Sequence, residues 1–262
     1  MSFDPAPLAA ALETAWNERA AVEPFTETGA LTTVEDAYAV QQAWTAIRTS
    51  SGDRILGHKV GFTAKAMQEL FGITEPDYGG LLASRKFSVE NGRVEVPHAI
   101  LLQPKLEGEI AFHLGKPLRG PGVTMEDVLD ATTELAVSAE IVDSRIADWR
   151  IKIVDTIADN ASFGAFAVGP WDESLRDADF PNIRMLVRRG EEVVLEGTGD
   201  VVLGHPARSV AWLVNRMAAF GVTLEAGSIV LSGSLGGAVD ARQGDEFTVE
   251  LDGQEPLRVA FV

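Results

Sequence analysis

Cysteine is absent from the 262-residue chain. That excludes disulfides, thiolate zinc sites, iron–sulfur clusters and a cysteine nucleophile, and it fits a reducing cytosol. Positive charge is scarce: 22 Lys and Arg stand against 39 Asp and Glu, a formal net charge of -17. Such a surface repels nucleic acid and anionic membranes, so neither is expected as a partner. No run approaches the ~18 apolar residues of a membrane span. The opening MSFDPAPLAAALETAWNERA lacks the basic start and apolar core of a signal peptide. A cytoplasmic location is the expectation. Repeats, linkers and low-complexity tracts are missing too, and the four histidines His58, His98, His113 and His205 show no metal or triad spacing. What is present is an ordinary globular composition, 46% apolar and 23% charged, long enough to bury a proper core.

The chain opens with helical spacing. Asp4-Pro5 reads as a helix start, followed by Leu8, Leu12 and Trp16 at four-residue intervals. Thr32 and Glu35 have the spacing of a capping box ahead of a second helix with Ala37, Val40, Trp44 and Ile47 on one face. From Arg54 the texture changes. Strands are expected at 55–62, 87–96, 105–114 and 162–168, with a hairpin over 184–197 turning at Arg189-Gly190. Thr63 is expected to cap a short helix ending at Gly72, and Thr124 one over 125–133. Residues 205–221 read as a helix closed by Gly221. The chain ends in strands, two of them joined across Asp252-Gly253, a strong hairpin signal. The reading is α+β: a helical segment over 1–53 and a mainly antiparallel body over 54–262, with one continuous domain as the alternative.

Within LLQPKLEGEIAFHL (101–114) strand alternation puts Glu107, Glu109, Ala111 and His113 on one face, and Leu106, Ile110, Phe112 and Leu114 on the other with Gly108 as a gap. Carboxylates two residues apart on one face repel unless they are solvated or share something positive. Glu140 lies inside LAVSAEIV, where a buried carboxylate needs either a salt bridge or a metal. Three glutamates on an all-oxygen site suit Mg²⁺ or Mn²⁺ better than zinc. Lys59, in the glycine-flanked GHKVGF, is either a surface lysine or the cation that brings such a pocket to neutrality, its pKa lowered by burial beside a metal. In DTIADNASFG (155–164), Asp155, Asp159, Asn160 and Ser162 either build a turn or present an amide and a hydroxyl to a bound carboxylate. SGSLGG (232–237), with Ser234 at its middle, offers small residues and backbone N–H groups to an anion, without the lysine spacing of a nucleotide loop.

GHKVGFT (57–63), PDYG (76–79), QPKLEGEIAF (103–112), AEIVDSRIADW (139–149), DTIADNAS (155–162) and VLSGSLG (230–236) occur in that order. Together they resemble the 2-keto-4-pentenoate hydratase family, which also holds the 4-oxalocrotonate decarboxylases and is related to the fumarylacetoacetate hydrolase catalytic domain. The resemblance implies a mixed β-roll fold and a homo-oligomer, often pentamer-based. It matches Glu107, Glu109 and Glu140 to metal ligands, Lys59 to the pocket lysine, Asp77 to the aspartate of the family motif and Ser162 to a substrate-side hydroxyl. Gly108, Phe163 and LLASRKF (81–87) depart from the pattern, and the last two are expected to reshape the pocket.

The implied activity is metal-dependent hydration of 2-hydroxypenta-2,4-dienoate or a close homologue to 4-hydroxy-2-oxopentanoate, in aromatic or related catabolism. Lys59 and Asp77 are the expected proton carriers, and Ser162 and Ser234 the expected substrate contacts. Decarboxylation of 2-oxohex-3-enedioate is the first alternative and needs room for a second carboxylate. A C–C hydrolase would need a His–Glu pair that no histidine spacing suggests. A non-catalytic, metal-stabilised scaffold or partner subunit, acting with another pathway enzyme, is the alternative of a different class.

Overall fold

The computed structural model describes residues 3–262, the side chains of Leu70 and Phe71 apart. The first two positions of the helical segment expected over 1–53 therefore lie outside the described residues. Helices α1 (Ala6–Glu18) and α2 (Val34–Ser50) pack together, with Trp16 edge-on to Trp44 and ring centroids 5.4 Å apart. The cap of α2 is one residue later than the spacing suggested. Thr33, in extended backbone, accepts the Asp36 N–H through its side chain, so of two overlapping Thr-x-x-acid matches the second is used.

Two sheets make the body. The larger uses β1 (Ile55–Gly61), β2 (Asp77–Leu82), β3 (Lys86–Phe87), β5 (Lys105–Leu114), β6 (Thr132–Val142), β7 (Phe163–Val168), β10 (Ile229–Leu231) and β11 (Ala238–Asp240). Its order is β2-β1-β10-β5-β6-β7-β3, with β11 also on β5. The smaller sheet runs β4 (Arg93–Val96), β13 (Leu257–Phe261), β12 (Glu246–Leu251), β8 (Arg184–Arg189) and β9 (Glu192–Thr198). Gly108 shows why the sheets approach closely: a β-carbon there would stand 2.4 Å from Met185 Sδ and 3.1 Å from Val249 Cγ1, both on the smaller sheet. The body is mainly antiparallel, as expected, and mixed in that β1 with β10, β3 with β7 and β4 with β13 are parallel pairs.

The short helices are α3 (Lys65–Phe71), α4 (Met125–Ala131) and α5 (Ile153–Ala158), and α6 (Pro206–Ala218) is longer. Thr124 closes a capping box with Asp127 at the start of α4, as its position suggested. Thr63 does not cap α3: Ala64 holds the cap position without a side-chain bond, and Thr63 is buried in the space left by Gly233. The strand expected over 87–96 is two strands, because Asn91 and Gly92 both take left-handed φ (52° and 72°) and turn the chain. The hairpin across Asp252-Gly253 joins β12 to β13.

The helical pair is pinned to the body at the strands that matter for chemistry. Gln41 on α2 donates to the carbonyls of Tyr78 on β2 (2.7 Å) and Ile157 on α5 (2.9 Å). Asp155 on α5 accepts from the Thr26 N–H and hydroxyl at 3.0 and 2.6 Å. LLASRKF serves the same junction: Leu81 and Leu82 are core residues and the Arg85 guanidinium lies 4.1 Å from the Trp16 ring centroid.

Candidate active site

Antiparallel pairing of β5 with β6 places Glu107 directly opposite Glu140 and Glu109 opposite Ser138. Glu107, Glu109 and Glu140 each offer a carboxylate oxygen within 4.8 Å of the others'. Glu109 and Glu140 are fully buried, and Glu107 keeps an edge in a cavity of about 500 Å³. Burial and the neighbouring charges push the Glu107 carboxyl up to about 8 and raise Glu109 and Glu140 as well. One Glu109 oxygen accepts the Gly233 N–H at 2.6 Å, whereas its other oxygen has no hydrogen-bond partner. Both Glu140 oxygens fall outside good hydrogen-bond geometry, and what Oε1 has is an ion pair with the Lys59 ammonium 3.2 Å away. Dry carboxylate oxygens without donors are costly, and a hard divalent cation is the group this donor set fits.

Lys59 lies next to Glu140 because β1 sits two strands from β5 and turns alternate side chains, Lys59 and Gly61, toward the cavity. Its ammonium donates to the Ala161 carbonyl at 2.9 Å. Burial alone would lower its pKa, but Glu140, Asp77, Glu107 and Glu109 outweigh burial and hold it above its ordinary value.

Asp77 pairs with Gly61 across β1 and β2. A β-carbon on residue 61 would be 2.2 Å from Asp77 Oδ1 and 3.5 Å from Lys59 Nζ, so the missing side chain is the space in which these two groups approach. Asp77 Oδ2 is 2.7 Å from the Thr156 hydroxyl, and Oδ1 has no partner. Burial raises the Asp77 pKa despite the nearby lysine.

The segment after α5 does most of its work on the backbone. Asn160, Ala161 and Ser162 all take left-handed φ, 51° to 53°. Arg145, buried beneath them, holds Asp159 Oδ1 at 2.6 Å and donates to the carbonyls of Asp159 and Phe163. Asn160 spans the Gly80 N–H and carbonyl with its amide. These contacts aim the Ala161 carbonyl at Lys59 and set Ser162 on the cavity wall. The amide is therefore consumed by Gly80 and is not offered to a ligand. Asp155 and Asp159 are structural in the same sense. Ser234 also lines the cavity, with its hydroxyl donating to the Gly237 carbonyl at 2.7 Å. Phe163, by contrast, packs in the core beside Phe166 and does not line the cavity.

The fumarylacetoacetate hydrolase C-terminal family matches residues 63–262. A 2-hydroxyhexa-2,4-dienoate hydratase of Comamonas testosteroni is 43% identical over 91% of this chain and 90% of its own. A 2-keto-4-pentenoate hydratase of Dechloromonas aromatica (strain RCB) is 40% identical over 97% of this chain and 95% of its own. The chain belongs to the 2-keto-4-pentenoate hydratase family. Among solved structures, the 4-oxalocrotonate decarboxylase from Pseudomonas putida G7, complexed with magnesium and adipate, superposes with a TM-score of 0.93 at 31% identity, covering 98% of this chain and 97% of that one.

This hydratase-family cavity has walls that the sequence motifs did not point out. Lys105, Trp149 and Thr156 line it, with Phe62, Met67, Val142, Ile151 and Leu195 as its apolar part. Lys105 and Trp149 lie inside quoted motifs, and Lys105 shares the strand face of Glu107 two residues away, a signal alternation already contained. Leu195 comes from the other sheet and had no local signal. Among the described residues, the helices include none long and apolar enough to cross a membrane.

Proposed function

We propose that the protein is a divalent-metal-dependent hydro-lyase that hydrates 2-hydroxypenta-2,4-dienoate, or its one-carbon-longer homologue, to the 4-hydroxy-2-oxo acid. The observation that carries this reading is the set of unpartnered buried oxygens on Glu109 and Glu140 beside Glu107, facing a cavity that also holds Lys59 and Asp77. Glu107, Glu109 and Glu140 would hold Mg²⁺ or Mn²⁺, and magnesium is present in the related decarboxylase structure. When bound, the ion supplies Lewis-acid polarisation of the substrate's oxygens.

The chain's own groups do the rest. Three carboxylates, one divalent ion and Lys59 sum to zero, so an anionic substrate meets no net repulsion at the floor of the cavity. Lys59, steadied by Ala161, directs an N–H at the oxygen that gains negative charge as the dienol loses its O2 proton and C5 is protonated. Water then adds its oxygen at C4 while a proton is delivered to C3. Asp77, protonated more readily than a free carboxyl because it is buried, is the proton carrier, standing with Lys59 around the space left open at Gly61 in the cavity wall. Ser162 receives the substrate carboxylate, and the SGSLGG backbone around Ser234 closes that side. The chemistry belongs to the body over 54–262, and the segment over 1–53 steadies β2 and α5 from behind. A homo-oligomer in the cytoplasm, pentamer-based as the family resemblance implies, is part of the same proposal.

The test compares 2-hydroxypenta-2,4-dienoate with 2-oxohex-3-enedioate under Mg²⁺ or Mn²⁺. Hydration without carbon dioxide release is expected. Release of carbon dioxide from the dicarboxylate as the faster reaction would move the protein to the decarboxylase side of its family. Loss of all turnover in both assays would favour the scaffold reading.

A further inference from the structure

The cavity carries a second cation, away from the carboxylate floor. Lys105 stands on the same face of β5 as Glu107, two residues away, hence about 7 Å along the strand. The neighbouring strand β11 puts Ala238 opposite Glu107 and Asp240 opposite Lys105. Lys105 is ion-paired to Asp240, and its ammonium lies 5.3 Å from the centroid of the Trp149 ring. Trp149 is itself anchored, its indole N–H donating to the Gln103 carbonyl at 3.0 Å. Asp240 is 68% exposed, whereas Lys105 is 28% exposed, so the acid comes from the solvent side and the lysine faces inward.

Resting on the functional reading above, we propose that the Lys105–Asp240 pair sets the charge of the substrate tail that the cavity accepts. With Asp240 on the ammonium, the Lys105 charge is offset at the far end of the site, where Arg189 and Arg242 also act on Asp240 from outside the cavity wall, and Trp149, Ile151 and Leu195 favour an uncharged, apolar tail. A second carboxylate at that end would have to displace Asp240 and would be repelled by it, in a protein already at -17. The spacing makes the discrimination specific: an acid whose 2-oxo end sits by Glu107 brings a terminal carboxylate on a six-carbon chain to the level of Lys105. One acidic side chain outside the cavity wall thus separates monocarboxylic from dicarboxylic 2-oxo acids.

The experiment uses the full-length protein with Mg²⁺ and two inert ligands of equal chain length, 2-oxohexanoate and 2-oxoadipate. Binding is read by calorimetry in wild type, Asp240→Asn and the double variant Asp240→Asn with Lys105→Met. Wild type is expected to prefer 2-oxohexanoate. Freeing a lysine for a charge-assisted hydrogen bond should move the affinity ratio about tenfold toward 2-oxoadipate in Asp240→Asn. The double variant should return the ratio to the wild-type side. An unchanged ratio in Asp240→Asn, or a gain that survives removal of Lys105, overturns the proposal. Wild-type turnover of 2-hydroxypenta-2,4-dienoate in the same preparation separates the two readings. If it is present while the ratio stays fixed, only the tail-charge proposal fails; if it is absent, the hydratase reading fails whatever the ratio does.

Discussion

Glu107 and Glu140 face each other directly across β5 and β6, with Glu109 two residues along and Lys59 3.2 Å from Glu140. Like charges placed opposite one another in a sheet destabilise it, and burial increases the cost. Lys59 supplies part of the positive charge that offsets this arrangement, and on the proposed reading a divalent cation supplies the rest.

Glu107→Gln removes one charged ligand while keeping the shape of the strand. Mn²⁺ affinity measured by calorimetry is expected to fall, and turnover to fall at least about a hundredfold, since a metal's charge stabilisation is worth several kcal/mol. Thermal unfolding without metal should be unchanged or raised, because a buried repulsion is relieved. Retention of full activity would remove the metal from the reaction.

Gly61→Ala tests the closeness of Asp77 and Lys59. The added methyl falls 2.2 Å from Asp77 Oδ1, so the carboxyl must move away from its place beside the lysine. We expect kcat to drop by roughly 10²-fold, the range of a misplaced proton-transfer group, while Mn²⁺ binding stays near wild type. A loss confined to metal affinity would contradict this.

Thr156→Val takes away the hydroxyl bonded to Asp77 Oδ2. Leaving that buried carboxyl oxygen unpaired should cost about 1–3 kcal/mol in urea unfolding. Thr156→Ser should recover most of the stability and shift the pH–rate profile least. Equal profiles for Val and wild type would show that the hydroxyl does not set Asp77's protonation.

His58 supplies a pH dependence outside the site. Burial lowers its pKa to about 4, and its Nδ1 has no hydrogen-bond partner. Because the folded value lies below the unfolded 6.5, stability is whole above pH 6.5 and is lost as pH falls toward 4. At about 1.4 kcal/mol per unit, and discounting because the residue as a whole is only half-buried, the loss is on the order of 2 kcal/mol. His58→Gln should flatten this segment of the urea-stability curve between pH 7.5 and 4.5. Parallel wild-type and variant curves would assign the acid lability to other groups.

Much of the site was legible in short stretches of chain. Alternation along residues 105–114 alone puts Glu107 and Glu109 on one face, and Glu140 stands out among apolar neighbours. The roles of Asp155, Asp159 and Asn160 were not legible in that way. A polar residue before a strand can face a ligand or a backbone group, and only the positions of Thr26, Arg145 and Gly80 decide which. The direction of the Lys59 shift has the same origin: burial is readable from its apolar neighbours, but the four carboxylates that outweigh it come from other strands.

Local periodicity and turn chemistry determined where most strands and helices run, because those preferences are fixed within a few residues of chain. They also placed Glu107 and Glu109 on one face of their strand. The distances between those faces came from pairing that spans the whole molecule. β10 and β11 share one edge of β5, with SGSLGG between them and the Gly233 N–H on Glu109, and β9 of the second sheet brings Leu195 to the cavity wall. Such contacts join residues a hundred or more positions apart, where no local preference acts and the register is set by the packing of complete sheets.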